Sequence, residues 1–252
     1  MNPADIIRIK ELLPTGLGSD ELKERVAADI LRRSIVSARM ESARHLARVR
    51  DVCAAVAEGS MNQASARAEL LESLHAMGHR ASDGGGITNP ASRRRLNLII
   101  DTQRRMASSV ARINAETPAT LMAWPAWELR RFERRAAPRG DWMQRWQSAA
   151  EAVGYEGVAR HTARMVALKG SPIWQALGDG AGGFRDTLGN PYPPFAYSSG
   201  LAWDDVDADE CRKLGLDPQA SSRPASASLS PDTQELAEAA KAAGFDLGKG
   251  LA

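Results

Sequence analysis

The sequence has little of what would tie it to a membrane or to an oxidising compartment. Only two cysteines occur in 252 residues, Cys53 and Cys211, far apart and in no C-x-x-C arrangement. Both are expected as ordinary thiols of a reducing cytoplasm. No stretch approaches the ~20 apolar residues a bilayer-spanning helix needs. Met1 to Lys10 carries charges where a signal peptide would place its apolar segment, which argues against membrane and secretory readings. Internal repeats are lacking. An excess of one charge is lacking too: the net charge is +2, with 22 Lys and Arg against 16 Asp and Glu in residues 1–135, and 11 against 15 in residues 136–252. A front half at that mild level permits contact with nucleic acid or an acidic protein surface without demanding it.

What is present is enough apolar sequence, 43%, to build a core in one large domain or two small ones. Ser19, followed by Asp20 and Glu21, is placed to cap a helix. Leu22, Val26, Ile30, Met40, Leu46, Val49, Cys53 and Val56 recur at mostly helical spacing, which predicts one long amphipathic helix as far as Gly59. Arg32, Arg33, Arg39, Arg44, Arg48 and Arg50 fall on its other faces, where a solvated basic surface outweighs a phosphate-binding one. Ser60 and Gln63 have capping-box spacing ahead of the stripe Leu70, Leu71, Leu74 and Met77, a second helix antiparallel to the first and ending at Gly78. His79 to Ala91, with Gly84-Gly85-Gly86 and Pro90, reads as a linker. A helix resumes at Ser92, with Leu96, Ile99, Ile100, Met106, Val110 and Ile113 on its buried side.

Beyond Pro118 the texture changes. Ala126 to Phe132 and Arg164 to Leu168 read as strands, with a helix over Asp141 to Val153 between them. Gly178 to Gly200 reads as a long ordered loop, Ala220 to Ser228 as a flexible segment, and Ser230-Pro231 as the start of a short Ala-rich helix ending at Gly244. The expected fold class is helix-rich α+β, with an N-terminal helical arm and a small mixed α+β domain. The expected boundaries are an arm over 1–78, a linker over 79–91, the α+β domain over 92–216 and a tail over 217–252.

None of the motifs names a reaction. Gly178-Asp179-Gly180-Ala181-Gly182-Gly183 fits G-x-G-x-x-G, but Pro172-Ile173-Trp174-Gln175 ahead of it is no buried strand, and no helix follows. Asp205, Asp207 and Asp209 imitate the first ligands of a calcium loop, yet Glu210 and Leu216 stand where Gly and Glu are required. They read instead as a solvated acidic face or the acidic start of a helix. His75 and His79 have i,i+4 spacing, but Gly78 interrupts the helix between them. His161, among Arg160 and Arg164, could serve acid/base chemistry if a partner faced it. The pairs Trp124 with Trp127 and Trp142 with Trp146 are more often core anchors than base-stacking platforms.

Several stretches together resemble the minor head proteins of double-stranded DNA phages, the Mu F-like head-morphogenesis family. They are Leu98 to Gln103, Pro125 to Arg130, Trp142 to Trp146, Met165 to Trp174, Asp186 to Asn190 and Pro193 to Gly200. The resemblance covers about Ser92 to Leu216, and with lower specificity Leu13 to Gly18 and Ser37-Ala38-Arg39. An arginine-bearing strand, a Gly, a Pro-x-Trp and a closing Pro-Pro loop correspond to Arg164, Gly170, Pro172-Ile173-Trp174 and Pro193-Pro194. The sequence departs from that pattern at the end, where many relatives carry a Cys-Arg-Cys-like motif and here only Cys211-Arg212 follows. No metal or disulfide role is carried over.

The resemblance implies a minor component of the phage head, in the virion near the portal and in the host cytoplasm during assembly. The portal protein and the major head protein are its implied partners, double-stranded DNA a further one, with no membrane and no small-molecule substrate. Neither a cofactor, a metal nor a catalytic residue is expected. Trp174, Tyr192, Pro193, Pro194, Phe195 and Tyr197 are the candidate partner contacts, because prolines lower the entropy cost of fixing a loop and aromatics serve as interface anchors. For Trp174, packing in the domain's own core is an equal alternative. Arg39, Arg44 and Arg48 are candidates for an acidic or DNA-facing surface. The rival expectations are an enzyme, a transferase or nuclease acting through Arg164, His161 and Glu128, and a DNA-binding packaging factor.

Overall fold

The computed structural model describes residues 1–80, 86–133, 140–157, 162–224 and Glu238. It is a helix-rich α+β protein that divides into two compact units, whose described residues, Glu238 apart, lie within Met1–Ala111 for the first and within 112–224 for the second. The expected Ala-rich helix after Ser230 lies outside the described residues, apart from Glu238.

The first unit is helical. It comprises α1 (Pro3–Arg8), β1 (Glu11–Leu12), α2 (Ser19–Arg25), α3 (Ala28–Arg33), β2 (Ser34–Ile35), α4 (Ala43–Glu58), α5 (Gln63–Ala76) and most of α6 (Arg93–Asn114). The α4 helix starts where the Ser42 hydroxyl accepts the His45 N–H and stops at Gly59, whose φ of +85° suits a residue with no Cβ. It buries Leu46, Val49, Val52 and Cys53 on one face. Pairs His45 with Ser73 and Arg48 with Glu69 show that α5 runs antiparallel to α4. Gln63 with Asp101 and Arg67 with Asn97 show the same of α6 against α5. Each fully buried Leu or Ile in these seams stabilises the fold by roughly 1.5–3 kcal/mol.

The long helix expected from Ser19 to Gly59 is instead three helices and a strand. Val26 leaves α2 in an extended conformation (φ −116°, ψ 126°), and Arg39 takes a positive φ of 58°. Tertiary packing overrides the local periodicity. Leu22, Val26 and Ile30 fold back on Leu13 as a separate cluster, and Ser34-Ile35 pairs in parallel with Glu11-Leu12. The second helix is capped by Asn62, whose side chain accepts the Ala64 and Ser65 N–H groups, not by the Ser60–Gln63 box.

The second unit contains α7 (Pro118–Ala123), β3 (Ala126–Arg131), α8 (Trp142–Ala152), β4 (Val166–Leu168), α9 (Ile173–Asp179), β5 (Leu201–Val206) and α10 (Ala208–Lys213). Its sheet has the order β4-β3-β5, antiparallel throughout, with Trp127 opposite Ala167 and Asp205, and Leu129 opposite Trp203. Side chains alternate across a strand, so Trp127, Leu129, Trp203 and Asp205 share one face. Ala126, Glu128, Asp204 and Val206 share the other. That second face carries a small apolar cluster of Ala126, Val166, Val206 and Cys211, the last brought in by α10.

Candidate functional site

The first face of this sheet gathers the aromatic rings. Trp127 stacks on Trp203 with centroids 3.8 Å apart and 14° between planes, and both meet Trp174 edge-on. Trp174, from α9, also meets Trp146 of α8 at 5.4 Å and lies nearly parallel to Phe195 at 6.4 Å. The Trp174 indole N–H donates to the Leu168 carbonyl oxygen at 2.9 Å, so its polar edge is satisfied inside the core. Such pairs add about 0.5–1.5 kcal/mol each beyond the area they bury.

At one end of that aromatic stack lies an ionic cluster. Lys169, 1% exposed, donates to Glu116 at 2.6 Å and lies 3.2 Å from Asp205. Arg112 reaches Asp205 at 2.7 Å and the Trp203 carbonyl oxygen at 2.6 Å. The Lys169 ammonium sits 5.3 Å from the Trp127 ring centroid and the Arg112 guanidinium 5.8 Å from it. Burial by itself would raise the Asp205 carboxyl. The hydrogen bond and charge of Arg112, then Lys169, bring it below its ordinary value.

On the opposite face, Glu128 and Asp204 lie directly across from each other, an arrangement of like charges that is unfavourable unless neutralised. Arg164 donates to both Glu128 oxygens, at 2.9 and 2.8 Å, and to Glu210 at 2.6 Å, while Arg130 pairs with Asp204 at 2.7 Å. Hydrogen bonds to Glu128 and Glu210 raise the Arg164 guanidinium above its already high value. Near α8, Arg145 is held by Asp186 in a two-pronged contact and by Asp141, and lies over the rings of Phe184 and Trp142.

The residues expected to contact a partner are for the most part inside the domain. Trp174, Tyr192 and Phe195 are at most 3% exposed, and Pro193 and Pro194, joined by a cis peptide bond, are buried with them. The loop is drawn in because Gly178 lets it approach: a Cβ there would stand 1.7 Å from the Asn190 carbonyl oxygen. Asn190, fully buried, donates to the Pro194 carbonyl oxygen. Of the six, Tyr197 is exposed, at 41%. For Trp174 the core alternative therefore holds.

Large apolar exposure falls elsewhere in this unit, on Met122 at 74%, Phe132 at 58% and Trp124 at 46%. The α7 helix that carries Met122 buries none of its residues. Trp124, expected as a core anchor, is at the surface, whereas its neighbour Trp127 is fully buried. Residue type alone could not separate the two, because both are tryptophans within two residues of Pro125. Trp124 closes α7 ahead of the strand, whereas Trp127 lies within β3 on its aromatic face.

Arg39, Arg44 and Arg48 are all exposed, and Arg48 forms an ion pair with Glu69. The glycine motif is the end of a helix, not its start: α9 closes at Gly180 with φ +87°. Carbonyl groups face outward from such an end, the wrong polarity for a pyrophosphate. Asp207 caps α10 by accepting the Glu210 N–H, and Asp209 pairs with Arg212, so the acidic run is the start of a helix. Among the described residues no group of three or more His, Cys, Asp or Glu side chains is disposed to hold a metal, and no helix is long and apolar enough to cross a membrane. His161 lies outside the described residues. A cavity of about 10 Å³ beside Arg145, Leu177, Phe184 and Thr187 has room for one water at most, and neither Arg164 nor Glu128 lines it. No protein family, no curated protein and no solved structure matches this chain.

Proposed function

We propose that the protein is a minor head protein of a tailed double-stranded DNA phage or prophage, acting in head morphogenesis beside the portal. One observation supports this reading above the others. Four of the six stretches that carry the resemblance to Mu F-like proteins, all in the second unit, pack as one framework: Trp127, Trp146, Trp174 and Phe195 touch ring to ring, and in the same unit Arg164 ties Glu128 to Glu210. A shared pattern that builds a scaffold suits a family defined by assembly.

Partner contact then falls to the exposed apolar residues Met122, Trp124, Phe132 and Tyr197, since such side chains are the usual anchors of an interface. The enzyme reading asks Arg164 to engage a substrate, but its guanidinium is already shared between two carboxylates. A DNA-packaging role would rest on Arg39, Arg44 and Arg48 and would show binding that weakens steeply with salt.

The test is co-expression with the neighbouring portal and major head proteins, followed by mass spectrometry of purified proheads. Low, reproducible copy number is the expected result, with incorporation reduced at least several-fold by the double substitution Met122→Ser, Trp124→Ser. Proheads that assemble without the chain would overturn the reading.

A further inference from the structure

Lys10 stands between α1 and β1, and its amine points into the helical unit. It is 1% exposed and donates to the amide oxygen of Gln103, on α6, at 2.8 Å. No carboxylate lies within ion-pair distance of it among the described residues. An ammonium has three N–H donors and a full charge, and here it would find one neutral acceptor. A neutral amine fits the same space at far lower cost, because burial penalises the charged form.

The surroundings do not offset that penalty. From α4 come Cys53, a fully buried thiol, and Arg50, a cation whose guanidinium donates to the Lys10 carbonyl oxygen at 3.5 Å. From α6 come Gln103, which is neutral, and Asp101, whose carboxylate is engaged by Gln63. The facing strand β2 brings Ser34 and Ile35, which do not titrate. On the segment itself, Arg8 is taken up by Asp5 and Glu58 at the surface, and Glu11 is exposed.

We propose that Lys10 is a proton-operated latch on the N-terminal segment Pro3–Leu12: the segment is seated against α4 and α6 while the amine is neutral, and protonation loosens it. The segment is otherwise well held. Ile6 and Ile7 are buried, and the Leu13 N–H donates to the Ile35 carbonyl oxygen at 3.0 Å. The latch therefore sets the stability of a docked element without defining its position. It stands apart from the head-protein reading and can fail without it.

The direction follows from linkage. Burial holds the amine at about 7, down from 10.5, with a smaller opposing effect of the Cys53 thiol. Once unseated, the amine returns to its ordinary range and binds a proton that the seated form lacks across this window. Opening should become about fivefold less favourable over the first pH unit above 7 and approach about tenfold per unit beyond it. Cys53 acts the other way at higher pH, because burial pushes its thiol up to about 12 while an exposed thiol ionises earlier. The window that isolates Lys10 is pH 7 to 8.5.

The experiment is amide hydrogen exchange on the full chain across that window, corrected for the intrinsic pH dependence of exchange. The amides followed are Ile6, Ile9, Lys10 and Leu13, which are hydrogen-bonded within or beside the segment. Protection should rise about five- to tenfold per pH unit in the natural chain and be flat in Lys10→Met, while the Leu129 amide of β3 shows no such slope in either. Equal slopes in both proteins would overturn the latch. Should Lys10→Met fail to fold, a titration of the Lys10 side-chain nitrogen by NMR in the natural chain decides the matter: a midpoint near 7 supports it, and one near 10.5 overturns it.

Discussion

Lys10 and Lys169 are buried to the same 1% exposure, yet the two units treat the charge in opposite ways. In the second unit Lys169 meets two carboxylates, Glu116 and Asp205, and the face of Trp127. In the first, Lys10 meets one amide oxygen. The materials of the two cores differ just as sharply. Residues 1–111 contain no Phe, Trp or Tyr, whereas all six tryptophans fall between 124 and 203. An aliphatic helical seam has nothing to set against a cation, while an aromatic sheet face offers ring quadrupoles at little extra cost. A buried lysine is thus ion-paired in one setting and left with a single neutral acceptor in the other.

The largest effect should come from breaking the paired site. Glu116→Ala leaves an ammonium without its closest partner and should destabilise the second unit by about 3–5 kcal/mol. Tryptophan fluorescence during urea unfolding reads this unit selectively, because every tryptophan belongs to it. The double variant Glu116→Gln, Lys169→Met should recover most of the loss, since it removes the charge together with its partner. If the single variant unfolds like the natural chain, the contrast between the two lysines collapses.

Acid should separate the units by a smaller margin. Burial, then the nearby His79, lowers the His45 imidazole, so the unfolded chain binds a proton that the folded unit resists and stability falls as pH drops below about 6.5. Asp205 lies below its ordinary carboxyl value, so its contribution persists above about pH 4 and fades only beneath it. Between pH 6.5 and 4, helical circular dichroism should therefore weaken toward urea sooner than tryptophan fluorescence does. His45→Gln should narrow the gap. Loss of both signals together in the natural chain would contradict the expectation.

The smallest effect belongs to Arg130. Its pair with Asp204 is well exposed, at 58% and 45% of the two side chains, and exposed pairs contribute about 0–1 kcal/mol. Arg130→Ala should shift the fluorescence midpoint only slightly. A loss comparable with that of Glu116→Ala would mean that the outer face of the sheet is as tightly coupled as the inner one.

Much of the fold could be read where local signals and burial agree. The helix α6 follows its apolar spacing from Leu96 to Ile113, and the strands β3 and β4 fall within the segments bounded by Pro and Gly. The reading of one helix from Ser19 to Gly59 failed because its spacing has a gap between Ile30 and Met40. Ile35 in that gap is a strand residue paired with Leu12. Most of the residues expected to contact a partner are buried for a related reason. Aromatic and proline residues mark both an interface and a core, and Phe195 and Tyr192 are core only because Gly178 lets their loop close over the sheet.

By itself the sequence determined the class of the fold, the helix and strand identity of its strongly patterned segments, the chemical poverty of the glycine and aspartate motifs, and the confinement of aromatics to residues beyond 111. These depend on spacing and composition, which act over a few residues. Only the tertiary structure decided which side of a core each chemically ambiguous group would occupy. Trp127 inside and Trp124 outside, Lys169 paired and Lys10 alone, and Arg164 shared between Glu128 and Glu210 all depend on contacts between residues distant in sequence. A side chain's charge and shape are local properties, but its burial and its partners are set by whatever the rest of the chain packs against it.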